Sequence, residues 1–191
     1  MPEPKKIIDP ETLKALAHPM RQRLLGLLHH LGPSTVGTLA DKVDGDPGQV
    51  SYHLRKLHEA GFIEEAPEAS RDFRQRWWKP VMESHSWSSR DFPTPAARAV
   101  ADAATRQWII EQFQALREHH RLRHSYPPQW QDAATGSQSY LNLSAPEVSQ
   151  MVEEFQALCE RWSRYSEDVR ATGDPDRRPV RFFYHVFPEN L

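Results

Sequence analysis

Apolar residues recur at intervals of three and four along the first 60 residues, and this period is typical of amphipathic helices. The pattern predicts four helices, at residues 10–17, 19–30, 35–43 and 47–60. Asp9, Ser34 and Asp46 stand where N-terminal caps are expected, because their side-chain oxygens can accept hydrogen bonds from the first free backbone N–H groups. Pro19 fits a first helical turn, and Gly61 is expected to end the fourth helix.

The apolar period changes after the fourth helix and predicts a β-hairpin. Residues 62–65 and 73–79 are expected to form its two strands, joined by a polar loop. Because successive side chains of a strand point to opposite faces, one of the adjacent Trp77 and Trp78 is expected in the core. Helices followed by a hairpin occur in this order in a winged helix-turn-helix, so we predict that fold for residues 1–82.

The next two segments are predicted to be a linker and a long helix. Residues 83–95 are rich in Ser and Pro, which favours a linker. Residues 96–125 carry a broad apolar stripe at helical period, and such a stripe suits a partner helix. The fold class that follows is mainly α with a small amount of β structure.

A small C-terminal α/β unit is predicted for residues 126–191. After a loop, residues 139–143 are expected to form a short strand. Ser144 and Glu147 have the spacing of a capping box, which predicts the start of a helix. Residues 180–187 alternate with apolar groups on both faces and predict a final strand, giving a strand-helix-strand order.

Composition excludes several classes of function. The chain has 24 Lys and Arg against 26 Asp and Glu, a net charge of -2, so overall basicity gives no argument for nucleic acid. Cys159 is the only cysteine, which excludes an internal disulfide and a site with several thiolate ligands. No apolar run is long enough for a membrane span and the start does not resemble a secretory signal, so we expect a cytoplasmic protein. Without a phosphate-binding loop or nucleophile elbow, neither an enzyme nor a cofactor is predicted.

The polar side of the fourth helix is the best candidate for DNA recognition. When its apolar positions face the core, the outward side chains are those of Gln49, Ser51, Tyr52, Arg55 and Lys56. A glutamine can pair with adenine through two hydrogen bonds, hydroxyls can reach bases or phosphates, and basic groups can neutralise the DNA backbone. The alternative is an ordinary solvated helix face.

The second strand of the hairpin and its loop are locally basic. From Arg71 to Lys79 there are four basic residues and one acidic residue, four minus one giving +3. This charge predicts phosphate contacts from Arg71, Arg74 and Arg76, and an affinity for DNA that falls with salt.

Four stretches carry a family resemblance. They are LAHPMRQRLL at 16–25, LA at 39–40, VSYHLRKL at 50–57 and EAGFI at 59–63. In this order they resemble the ArsR/SmtB group of bacterial winged-helix repressors, over about residues 10–80. The sequence RQRWW at 74–78 and the L-x-L-S-x-x-E motif that starts at Leu141 are similar to a larger actinobacterial-type subgroup with an extended C-terminal domain.

The resemblance implies a homodimer that binds double-stranded DNA at a palindromic operator and represses transcription. In that family the dimer is formed by the first helix and the helix after the wing, here residues 10–17 and 96–124. Two-fold symmetry implies recognition helices about 34–36 Å apart, one turn of the duplex.

Metal sensing is not expected from these residues. Family members that detect soft metals carry a Cys pair near the recognition helices, and this chain has none. His120 and His124 are four residues apart on the long helix, a workable spacing for two zinc ligands. The supporting acidic pattern is absent, so we favour a solvated helix end and predict no metal.

Aromatic residues after residue 100 suggest either an effector pocket or a packed core. The candidate pocket residues are Trp108, Trp130, Phe155, Trp162, Phe182 and Tyr184. These rings suit an apolar small molecule, and they suit dimer packing equally well. Two further alternatives remain open: a winged helix used to dock proteins, and a small-molecule-binding protein or enzyme whose working part is residues 96–191.

Overall fold

Capping side chains and prolines set where the first helices begin. The computed structural model describes residues 5–69, 75–81, 85–170 and 174–189. Its first four helices are α1 (Pro10–Leu16), α2 (Pro19–Leu31), α3 (Val36–Val43) and α4 (Pro47–Glu59). The Asp9 carboxylate accepts hydrogen bonds from the backbone N–H groups of Glu11 and Thr12. The Asp46 carboxylate accepts one from Gln49 at 2.9 Å, so both predicted caps are confirmed.

The third helix begins one residue later than predicted. Its cap is Thr35, whose hydroxyl accepts a hydrogen bond from the N–H of Thr38. Ser34 is instead buried, and Ser34–Thr35 form a short strand, β2. The prediction of Ser34 as the cap is wrong because both hydroxyl residues can cap a helix, and pairing with a distant strand decides between them.

A three-stranded antiparallel sheet completes this region. Its order is β2-β4-β3, with β3 at Ile63–Glu65 and β4 at Trp77–Pro80. Trp78 lies in the central strand opposite both outer strands and is only 2 % exposed, whereas Trp77 is partly exposed. The expectation that one of the two tryptophans belongs to the core is therefore confirmed.

Residues 85–95 pack on the helices, where the sequence favours a linker. His85–Ser86 form strand β5, which pairs in parallel with β1 at Lys5–Lys6. A capping box between Ser88 and Asp91 then fixes a single 3-10 turn. Phe92 follows this turn and is completely buried. The Ser and Pro content reflects these tight turns, and the buried Phe92 side chain anchors the segment.

A long helix, α5 (Pro95–Leu122), follows this segment. Ala97, Ala101 and Ala104 are buried in the same core as the sheet and the first helices, because their small side chains let the helix approach closely. The second half of α5 leaves large apolar side chains about half exposed. They are Ile110, Phe113 and Leu116.

The chain divides into two units, residues 2–121 and residues 122–191. The second contains α6 (Pro128–Ala133), where a loop is predicted, and the long helix α7 (Ala145–Arg170). Ser144 donates both its backbone N–H and its hydroxyl to the Glu147 carboxylate, in line with the predicted start. None of the helices in the described residues is apolar and long enough to span a bilayer.

The two predicted C-terminal strands do not form. Residues 139–143 and 180–187 carry no regular structure, so the described part of 122–191 is helices and irregular chain, not an α/β unit. Val180 and Phe182 are 73 % and 60 % exposed. Alternation detects side chains that suit a strand, but a strand also needs a neighbouring backbone to pair with, and no pairing is made within the described residues.

Phe92 should contribute strongly to stability. We expect Phe92→Ala to lower the free energy of unfolding by about 3–5 kcal/mol, because it empties a fully buried site. The matched change Phe187→Ala removes a ring that is 70 % exposed and should cost less than about 1 kcal/mol. Urea unfolding of the two variants and the wild type makes this comparison. Equal, small losses in both variants would mean that residues 85–95 are a linker after all.

Candidate nucleic-acid interface

A tight turn joins α3 to α4. Asp44 ends α3 in the left-handed backbone conformation, with a φ of 51°, and its N–H bonds to the carbonyl of Ala40. Gly45 bonds to the same carbonyl at 3.0 Å. A Cβ at position 45 would lie 3.0 Å from a methyl carbon of Val43, so the turn is close-packed. The turn sends the chain directly into the first turn of α4 at Pro47.

One side of α4 is held firmly in the core. Val50, Leu54 and Leu57 are each no more than 1 % exposed, and they pack against α2, α3 and the sheet. Burying three such side chains contributes roughly 1.5–3 kcal/mol each. The rotation of α4 about its own axis is thereby fixed.

The polar side of α4 is open to solvent, as the sequence predicts. Gln49, Tyr52 and Arg55 are exposed, with Tyr52 at 49 %, and Ser51 and Lys56 are partly exposed. Lys56 is held along the helix by Glu59, whose carboxylate lies 2.6 Å from the ammonium nitrogen. The hydrogen bond to Glu59 raises the pKa of Lys56, so this side chain is a cation at neutral pH.

Beneath this face lies a pair of histidines whose role the sequence analysis missed. The rings of His18 and His53 are 4.5 Å apart, and the ring of Tyr52 is 5.3 Å from that of His53. His18 also caps α2, because its Nδ1 accepts the N–H of Met20. This contact connects the start of α2 to the middle of α4. Both histidines lie in the stretches that resemble the ArsR/SmtB group, at 16–25 and 50–57. That resemblance is the feature of the sequence that could have pointed to them.

The surroundings of His18 and His53 favour the neutral form of both imidazoles. Burial lowers the pKa of His18, and the positive charge of Arg21 lowers it further. Burial also lowers the pKa of His53, helped by the charges of His18 and Arg21. The Nδ1 of His53 is buried and has no hydrogen-bond partner in the described residues. Arg21 is fixed nearby by donating to the carbonyls of Lys14 and Ala15.

The hairpin is less basic than its second strand alone suggests. Arg76 forms an ion pair with Glu65 at 3.2 Å, and Lys79 forms ion pairs with Glu68 at 2.6 Å and Glu64 at 3.5 Å. The count along one strand misses these carboxylates, because antiparallel pairing places β3 and the turn after it beside β4.

Two further candidates, Arg71 and Arg74, lie outside the described residues. The guanidinium of Arg76, in contrast, belongs to the described residues. It lies 5.6 Å from the centre of the Trp78 ring, so its position is restrained by a buried side chain.

The predicted effector residues are divided between the two units of the chain. Trp108 belongs to residues 2–121, and the other five belong to residues 122–191. Among these, Tyr184 stacks on Phe155 at 5.0 Å and lies 6.1 Å from Phe182. Trp162 contacts Tyr165, and Trp130 lies beneath the guanidinium of Arg178. No group of three or more His, Cys, Asp and Glu among the described residues has a geometry that could hold a metal.

A comparison with family models identifies the region that contains this interface. Residues 16–66 match the model described as a helix-turn-helix domain. The match spans α2, α3, α4 and β3, and β4 completes the wing. The domain is a winged helix-turn-helix. A helix-turn-helix domain supports a role as a DNA-binding transcriptional regulator.

Several solved structures are similar to this chain. A possible transcriptional regulator for arsenical resistance is 27 % identical, over 56 % of this chain and 92 % of its own, with a TM-score of 0.33. The Lactococcus lactis protein ZitR, as an apo mutant, is 20 % identical over 71 % of this chain and 83 % of its own, with a TM-score of 0.31.

RV1404 from Mycobacterium tuberculosis is 17 % identical over 86 % of both chains, with a TM-score of 0.29. These TM-scores are low. The winged helix-turn-helix follows instead from the family match and from the order of α2, α3, α4, β3 and β4. A search of the curated proteins finds no match.

The histidine pair predicts how stability depends on pH. Unfolded histidines take up a proton near pH 6.5, whereas the folded pKa values of His18 and His53 are lower. Below about pH 6.5 the unfolded state therefore binds more protons, and the free energy of unfolding falls as the pH falls. Above that pH the stability is fully present. Urea unfolding at about pH 7.5 and about pH 5.5 measures the loss, and His53→Gln should reduce it.

The control for this prediction is His120→Gln, which replaces an exposed histidine on α5. On acidification, this variant should lose as much free energy of unfolding as the wild type does. An equal loss in the wild type and in His53→Gln would contradict the account of the pair.

Proposed function

We propose that the chain is a homodimeric repressor that inserts α4 into the major groove of a palindromic operator. The observation that carries this proposal is the division of α4 into two sides. Its apolar side is buried in the core, and its polar side is exposed or partly exposed. A helix held in this way presents its first residues to base edges without ordering any further chain.

The residues of α4 have distinct proposed roles. Gln49 stands in the first turn and would read adenine through two hydrogen bonds. Ser51 and the Tyr52 hydroxyl would reach bases or phosphates from the same face. Arg55 forms no ion pair within the described residues and would bind a base or a phosphate, and Lys56 would neutralise backbone charge.

In the wing, Arg71, Arg74 and Arg76 are proposed to contact phosphates beside the groove. Arg76 must exchange its ion pair with Glu65 for a phosphate, and an exposed pair of this kind is worth only about 0–1 kcal/mol. The exchange is therefore feasible, but the wing adds less affinity than its basic residues alone would suggest.

The proposed dimer rests on α5 and α1. Ile110, Phe113 and Leu116 leave an apolar stripe about half exposed on α5, which is the kind of surface that marks an interaction site. A second copy covering this stripe by two-fold symmetry would set the two α4 helices about one duplex turn apart. Repression would then follow from occupying the operator.

Removing the Arg55 guanidinium tests the proposal. An operator is first selected from a random duplex library with the wild-type protein, and Kd is measured by fluorescence anisotropy. Arg55→Ala should weaken binding, with discrimination at one position falling by about 1–3 kcal/mol if Arg55 reads a base. If it binds a phosphate, all sequences should weaken alike, and the salt slope should fall by about one.

The control for Arg55→Ala is Arg161→Ala, the same change at an exposed position of α7. It should bind the operator as the wild type does. Unchanged binding in Arg55→Ala, or selection of no duplex sequence whose binding falls with salt, would favour the protein-docking alternative.

The ion pair in the wing yields a second prediction. Glu65→Gln should strengthen operator binding by about two- to fivefold, because it frees Arg76 and removes a negative charge beside the phosphates. Binding should also become more sensitive to salt. Glu118→Gln on α5 makes the same charge change in another exposed ion pair, and we expect it to leave Kd unaltered. Weaker binding by Glu65→Gln would remove Arg76 from the interface.

A further inference from the structure

The start of α2 and the middle of α4 meet at a pair of histidines beside the proposed DNA contacts. The imidazoles of His18 and His53 lie 4.5 Å apart, and the Tyr52 ring meets that of His53 edge to face at 5.3 Å. Tyr52 is itself 49 % exposed, and the ammonium nitrogen of Lys56 lies 6.0 Å from the centre of its ring. The pair is therefore in contact with a ring that belongs to the polar face of α4.

The cap of α2 fixes the tautomer of His18. Its Nδ1 accepts the backbone N–H of Met20 at 3.2 Å, so in the neutral ring the hydrogen is on Nε2. A protonated imidazole carries a hydrogen on both nitrogens and accepts a hydrogen bond with neither. Protonation of His18 therefore breaks the cap and sets two donors against each other at the first turn of α2.

His53 offers no better place for a second proton. Its Nδ1 is buried and has no hydrogen-bond partner in the described residues. In the cation both ring nitrogens are donors, so a buried N–H would be left without an acceptor, which is costly. Val50 and Leu54 on either side of it are no more than 1 % exposed and hold α4 in the core. The side chain of His53, and not the helix, is therefore the part that must move.

The charges around the pair also oppose protonation. The titratable and charged groups that face it are Arg21 on α2 and Tyr52 on α4, and α1 contributes backbone carbonyls, to which Arg21 donates. No carboxylate of the described residues lies within ion-pair distance of either imidazole. Burial and the guanidinium of Arg21 lower the pKa of both histidines, so the pair is neutral at neutral pH and takes up protons in acid.

We propose that this pair makes operator binding sensitive to acid, because protonation separates the two rings, releases the start of α2 and displaces Tyr52 from the position in which α4 presents it to DNA. The inference rests on the proposed function, in which Tyr52 is a DNA contact. When only chains with the two rings in contact bind well, the apparent Kd rises as the fraction of such chains falls.

An opposite effect has to be separated from this one. A histidine that gains a proton near the phosphates adds positive charge, and positive charge favours DNA binding. Simple charge gain therefore predicts tighter binding in acid, whereas separation of the two rings predicts weaker binding. The sign of the pH dependence distinguishes them.

The test measures operator binding against pH at constant salt. The operator selected with the wild-type protein is titrated at about pH 7.5 and about pH 5.0, on either side of the ordinary histidine pKa. Circular dichroism of the same samples gives the folded fraction by which each Kd is corrected. The wild-type Kd should rise at least about threefold on acidification, which corresponds to a binding-competent fraction of about one third.

Two substitutions remove the titrating groups. His18→Asn keeps a side-chain acceptor for the cap of α2, and His53→Gln replaces the second ring by a neutral amide. The double variant should show no rise in Kd in acid. The control is His30→Gln at the other end of α2, which should keep the wild-type rise. If the double variant does not fold, His18→Asn alone gives the comparison, with a smaller rise than the wild type.

A second readout needs no DNA. In NMR spectra the backbone amide signals of Met20 and Tyr52 should titrate together in the wild type, because the cap and the ring contact are lost in one step. Neither signal should titrate over this pH range in the double variant.

The outcomes separate this inference from the proposed function. A wild-type Kd that is constant or falls in acid, or an equal change in the wild type and the variants, would overturn the inference and leave operator binding in place. Amide signals of Met20 and Tyr52 that do not titrate would also overturn it. Absence of operator binding already at about pH 7.5, where the pair is neutral, would overturn the proposed function and this inference with it.

Discussion

The burial of one side of α4 is the constraint on which the molecule's proposed activity depends. Val50, Leu54 and Leu57 are all but inaccessible to solvent, and they come at the spacing of a single helical face. Since a helix cannot turn about its axis without exposing these side chains, the opposite face must point outwards. The caps at both ends of the α3–α4 turn set the direction of the helix, and the core sets its rotation.

Charge is organised locally in this domain. The chain as a whole is slightly acidic, and Arg76 and Lys79 are paired with carboxylates from β3 and the following turn. An interface of this kind gains less from general attraction to phosphates than a strongly basic one does. In the proposed complex, discrimination by α4 would then contribute a larger share of the operator affinity. The ion pairs would also weaken non-specific binding, since each would have to be exchanged before a phosphate is bound.

The sequence was sufficient to predict α1 to α5, α7 and the exposed face of α4. Caps such as Asp9 and Asp46 act within three or four residues, so a local pattern reports them correctly. The residues that pattern reading missed depend on distant partners. Phe92 is buried by elements far from it in the chain, and His18 meets His53 only after α2 and α4 have packed.

The same limit explains the C-terminal region. Residues 180–187 have the composition of a strand, but pairing requires a second backbone that the pattern does not contain.

The most direct test of the account is a methylation-protection footprint of the wild-type protein on its selected operator. Dimethyl sulfate methylates N7 of guanine in the major groove, so a helix inserted there shields it. The account predicts two protected patches related by two-fold symmetry and separated by about one turn of the duplex. Binding without protection of N7, or one unrepeated patch, would contradict the insertion of α4 from a symmetric dimer.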